Sequence, residues 1–141
     1  TLKGEEKKLF DLGAEVYRRE AHCITCHQAD GQGLPAAQFP SIAKSPWVSG
    51  DPRRLVRIIL HGLMGPIEVN GTKYPGQVPM TAFKGLSDQE IAGVATYVRN
   101  AFGNKGSAVT PAQVAKEREA TKAQEGFLVP AELQKQFPLG K

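Results

Sequence analysis

Cys23-Ile24-Thr25-Cys26-His27 constrains this chain more than any other stretch, because C-x-x-C-H is the attachment signature of covalent c-type haem. Each thiol adds across one vinyl group of the porphyrin, and the two intervening residues set a sulfur spacing that matches those vinyls. The histidine directly after the second cysteine sits beneath the ring, where its imidazole takes the proximal axial position on iron.

Other uses of the same five residues are a thioredoxin-like dithiol, half of a zinc site, or a disulfide. A thioredoxin motif belongs beside a βαβ pattern, and structural zinc needs a second pair of ligands at suitable spacing. Neither pattern is present: the chain has two cysteines and three histidines, His22, His27 and His61.

A length of 141 residues with 40% hydrophobic content fits one small domain with one core. No apolar run approaches the roughly 18 residues of a membrane span. The opening residues TLKGEEKKLF hold no hydrophobic leader core, which predicts a mature or trimmed product. The net charge of +4 is spread along the chain without a nucleic-acid motif, which excludes nucleic acid as partner. Two haem propionates offset much of it. The remainder reads as steering toward an acidic face on a redox protein.

Residues 5–20 have apolar positions Leu9, Leu12, Val16 and Tyr17 at three- and four-residue spacings, predicting a helix that leads into the haem motif. The Gly/Pro-rich stretch after His27 predicts an irregular loop around the proximal face. Asp51-Pro52 reads as an N-cap and first helical residue, with Gly62 as the stop after His61. Asn70-Gly71, between two short alternating runs, predicts a hairpin. Ser87 to Glu90 is a capping box for a second helix, ended by Gly103, and Thr110 to Gln113 another, for a helix over 112–124.

Two methionines compete for the sixth position on iron. Met80 lies in a Pro/Gly-rich loop before the capped helix at Ser87, where a thioether can swing over the ring. Met64 follows the helix ending at His61 and reads as packing, as methionine commonly does. Met80 is favoured, with His61 and His22 as lesser alternatives. Trp47 is a candidate to donate its indole N–H to a haem propionate, or simply core. Arg57 is a candidate to pair a propionate through its guanidinium, with Arg53 and Arg54 equally placed.

A helix, C-x-x-C-H, a Gly/Pro loop, a ligand methionine loop and a final helix, over about residues 5–103, resemble the class I cytochromes c. The stretch from Ser45-Pro46-Trp47 through His61-Gly62 and the hairpin is similar to bacterial respiratory cytochrome domains linked to quinoprotein-type dehydrogenases. The family's Met-Pro is Met80-Thr81 here, with Pro79 before the methionine. The resemblance implies an all-α class I cytochrome c fold with a small β-hairpin insertion. It also implies that Gly13 of the first helix packs on Tyr97 of the last, and that the carbonyl of Pro40 accepts the His27 imidazole proton.

The resulting expectation is a non-enzymatic, monomeric one-electron carrier with one haem c on Cys23 and Cys26 and iron held by His27 and Met80. It would work between a respiratory donor and a terminal acceptor, in the periplasm or peripheral to a membrane outside the cytoplasm. Lys73 and Lys84 flank the Met80 loop and are candidates to steer the partner. The alternatives are a domain of a multidomain dehydrogenase or oxidase, and a haem gas sensor or peroxidase if the sixth ligand is weak. Residues 1–104 form the expected haem domain. Residues 105–141, with Phe127, Leu133 and Phe137, form a helical extension that docks on that domain or on a partner. Removing it is expected to lower stability and leave the axial ligands unchanged.

Overall fold

The computed structural model describes residues 2–19, 21 and 23–139. His22, an alternative iron ligand from the sequence, lies outside the described residues. The chain is mainly helical: α1 (Glu5–Arg18), α2 (Cys23–His27), α3 (Pro46–Ser49), α4 (Pro52–His61), α5 (Asp88–Asn100), α6 (Pro111–Ala120) and α7 (Pro130–Gln136). Between α4 and α5, strands β1 (Ile67–Val69) and β2 (Thr72–Tyr74) form an antiparallel hairpin with Val69 opposite Thr72. Asn70 and Gly71 take positive φ values of 51° and 84°, as a tight hairpin turn requires.

Helix boundaries follow local chemistry. Asp51 accepts the Arg53 N–H at 2.9 Å, with Pro52 as first helical residue. Ser87 with Glu90 and Thr110 with Gln113 close both capping boxes. Gly62 ends α4 with φ at 76°. The helix expected over 112–124 stops at Ala120, and the chain then turns at Thr121. Helix α5 ends at Asn100, and Gly103 serves the turn beyond it. The loop after His27 also holds more order than its composition predicts, with a 3-10 turn at Pro35–Ala37 and the short capped helix α3.

Helices α1 and α5 cross in close contact. A Cβ on Gly13 would overlap the carbonyl of Gly93 and the Cβ of Tyr97, so the crossing needs glycine. The aromatic rings of Phe10, Tyr17 and Phe102 surround Tyr97 at centroid distances of 5.1, 5.4 and 5.6 Å. The main core joins Leu9 and Val16 of α1, Val56 and Leu60 of α4, and Ile91, Val94 and Val98 of α5 with Val109 and Val114. A second cluster gathers Trp47, Ile58, Val69 and Tyr74 with Leu133 and Phe137. Residues beyond 104 therefore enter both cores, while Phe127 and Val129 remain about two-fifths exposed.

Two buried arginines tie distant segments together. Arg54 donates to the carbonyls of Pro46, Trp47, Phe137 and Pro138. Arg99 donates to the carbonyls of Val48, Gly50 and Ser107. Burial lowers both pKa values from the ordinary arginine range, and the converging carbonyls satisfy the charge. Among the described residues no helix is long and apolar enough to cross a membrane.

Candidate haem site

The motif Cys23–His27 is itself helix α2, delivered by α1 and anchored where the Tyr17 hydroxyl donates to the Gln28 carbonyl at 2.6 Å. Cys23 and Cys26 are both free and half-buried. Burial chiefly, with the neighbouring Cys26 and against a backbone hydrogen bond, pushes the Cys23 thiol up to about 12. No disulfide joins the pair.

Pro40 reaches back to the motif, its carbonyl 2.8 Å from His27 Nδ1. A carbonyl only accepts, so Nδ1 carries the proton and Nε2 keeps a free lone pair. Burial lowers the His27 pKa, against the smaller raising effect of the Pro40 bond, and keeps the ring neutral. A neutral, oriented imidazole with an open Nε2 is the donor a haem iron takes.

Two hollows meet at this ring. The first is walled by apolar side chains, among them Ile42, Val48, Leu55, Ile58, Ile59, Val94 and Val98. The second lies against the motif, with Ala21, Cys26, Phe39, Pro79 and Phe83 in its wall. Cys23, His27, Gln38, Pro40, Val78 and Met80 line both. A mostly apolar slot with two thiols and one imidazole in its wall fits a flat covalent porphyrin. Gln38 is not legible in the sequence as a site residue. Its Oε1 is buried without a partner among the described residues, in the wall both hollows share, and nothing in the motif spacing points to it.

Met80 lines both hollows, whereas Met64 lines only the first and is 41% exposed. His61 stands away from them: its Nε2 lies 2.6 Å from the Thr121 hydroxyl, and it lines neither hollow.

The propionate candidates find other partners. Trp47 puts its ring in the first hollow, but its indole N–H donates to the Glu68 carbonyl at 3.1 Å and is already satisfied. Arg57 lines neither hollow. Its Nε donates to Glu117 of α6 at 2.7 Å, and its guanidinium lies over the Phe137 ring. Arg53 pairs with Asp51, and Arg54 is used by the four carbonyls of its buried cluster. The partners of Trp47 and Arg57 lie far off in sequence, on the hairpin and on α6, whereas that of Arg53 is two residues away and those of Arg54 divide between the nearby Pro46 and Trp47 and the distant Phe137 and Pro138. Lys84 donates to the Gln124 carbonyl at 3.3 Å, and Lys73 lies on β2.

Comparison with known proteins agrees with this geometry. The family profile described as Cytochrome c matches residues 10–102. Cytochrome c-552 of Thermus thermophilus is 41% identical over 96 residues, covering 65% of this chain and 69% of that protein. The cytochrome c subunit of a quinone alcohol dehydrogenase from Gluconacetobacter polyoxogenes is 39% identical over 110 residues, 76% of this chain. The gluconate 2-dehydrogenase cytochrome c subunit of Pantoea cypripedii is 36% identical over 130 residues, 88% of this chain. The chain spans only 22% and 27% of those two subunits. Helices around a C-x-x-C-H slot, matched by the profile over most of the chain, place it in the cytochrome c family of electron carriers that hold covalent haem c.

Proposed function

We propose that this cytochrome passes single electrons with its iron held by His27 and Met80 and its haem anchored on Cys23 and Cys26. The observation that carries the reading is the shared wall: Met80 lines both hollows that His27 lines, and of the two methionines it alone lines the hollow beside Cys26. A bound haem supplies one-electron exchange at iron, and thioether ligation favours the ferrous state over bis-histidine ligation. The chain's own part is orientation and exclusion of water. Pro40 fixes the His27 tautomer, and the aliphatic wall disfavours the more charged oxidised core.

An iron with both axial positions filled leaves none open for oxygen or peroxide, so the protein acts as a carrier and not a catalyst. Its partners are a respiratory donor, a dehydrogenase or quinol-oxidising complex, and a terminal acceptor, met outside the cytoplasm. Residues 1–104 form the haem domain, and 105–141 an extension whose Leu133 and Phe137 pack on it. The similarity to proteins that are cytochrome c subunits of dehydrogenases favours a second reading, a haem domain working within a dehydrogenase assembly.

Ligand substitution tests the assignment. Met80→Ala should abolish the weak red band of methionine–iron ligation in the ferric protein, open the ferrous iron to carbon monoxide and lower the potential. Met64→Leu should leave all three unchanged. Loss of the band in Met64→Leu would overturn the reading.

A further inference from the structure

Residues 62–64 are hydrogen-bonded along both edges. On one edge Leu63 exchanges two backbone bonds with Met80, at 2.8 and 3.1 Å. On the other, Leu128 of the extension donates to the Gly62 carbonyl at 3.2 Å and accepts the Met64 N–H at 2.9 Å. A backbone ladder thus runs from Leu128 through Leu63 to Met80. Its centre is tight: a Cβ on Gly62 would meet the Met80 carbonyl, the Ala82 nitrogen and the Phe127 ring.

The far end of the same loop is held by the extension too. Arg118 of α6 donates to the carbonyls of Lys84 and Leu86 at 2.8 and 2.9 Å, and pairs with Asp88 at 2.9 Å. Between the two ties, the Phe83 N–H reaches the Ile59 carbonyl of α4 at 2.9 Å. Residues 80–88 are therefore pinned directly by Arg118 at the far end and, at the Met80 end, by Leu63, whose segment Leu128 holds from its other edge.

We infer that Leu128 and Arg118 are positioning residues for the sixth iron ligand: through Leu63 and through residues 84–88 they set how readily the Met80 thioether leaves iron. The inference rests on Met80 being that ligand. It departs from the expectation that the extension only adds stability. A neutral thioether stays on iron when its loop holds it in place, and each lost tie enlarges the fraction of time the loop spends displaced.

The test uses full-length holoprotein and measures how fast added imidazole displaces methionine from ferric iron, followed by loss of the red band. Leu128→Pro removes one backbone donor of the ladder, and Arg118→Ala removes the far tie. Each should speed displacement roughly tenfold, the change that losing one such hydrogen bond can produce. Val109→Ala is the control, since Val109 is fully buried in the extension but belongs to neither tie; it should lower the melting temperature without altering the displacement rate. Rates in Leu128→Pro and Arg118→Ala that match wild type, or exceed it no more than Val109→Ala does, would overturn the inference alone. If Leu128→Pro fails to fold, Arg118→Ala decides. A red band that survives Met80→Ala would overturn the ligand assignment and this inference together.

Discussion

His61 is the residue where burial and charge act in one direction. The Thr121 hydroxyl donates to the Glu117 carbonyl at 2.7 Å, so it accepts from His61 Nε2. That leaves Nδ1 unprotonated, buried and without a partner among the described residues. Desolvation first, then Lys84, Arg57 and Arg118, hold the imidazole below the ordinary histidine value of 6.5. The unfolded chain takes up that proton before the folded one does. This share of stability is thus complete above pH 6.5 and is lost as pH falls through it toward the lower folded value. Melting temperatures of the holoprotein across that window should drop with acid, and His61→Gln should flatten the drop. An equal drop in both proteins would contradict this account. The sequence exposes His61 as a helix-end histidine but not its burial, because Thr121, Lys84 and Arg118 are supplied from elsewhere in the chain and only Arg57 shares its helix. The same reason hides Gln38, Arg54 and Arg99, whereas Cys23, Cys26 and His27 are legible because their spacing is local.

Elements are legible where a cap or turn announces them. Asp51, Ser87 and Thr110 open α4, α5 and α6, and Asn70-Gly71 turns the hairpin. Helices α2 and α3 are too short for an apolar period to mark, and α7 is recognisable only once Leu133 and Phe137 have a cluster to enter. The α1–α5 crossing shows how a pair of elements depends on one atom. The sequence marks Gly13 as its near side but not Gly93 on the facing helix. Gly13→Ala should push the helices apart and destabilise the protein by about 1–3 kcal/mol in denaturant unfolding. Gly85→Ala, where a Cβ meets nothing, is the control and should be near neutral. Equal stability of the two variants would refute the close-crossing account.

Across the whole molecule the extension is part of the architecture that frames the haem slot. Val109 and Val114 complete the main core, Leu133 and Phe137 the second, and Glu117 holds Arg57 in an ion pair. The net charge of +4 is not all on the surface of this frame, since Arg54 and Arg99 are buried within it. What the frame encloses is a slot with His27 and Met80 in its wall and aliphatic side chains behind them. A haem iron in this slot held by both His27 and Met80, as proposed, would be six-coordinate and closed to added ligands. The most direct measurement is a potentiometric titration of the intact holoprotein, monitored through its absorption spectrum with and without carbon monoxide. One reversible one-electron transition is expected, at a potential higher than bis-histidine ligation gives and unmoved by carbon monoxide. Rapid, complete carbon monoxide binding to the ferrous wild-type protein, with an upward shift of the potential, would contradict it.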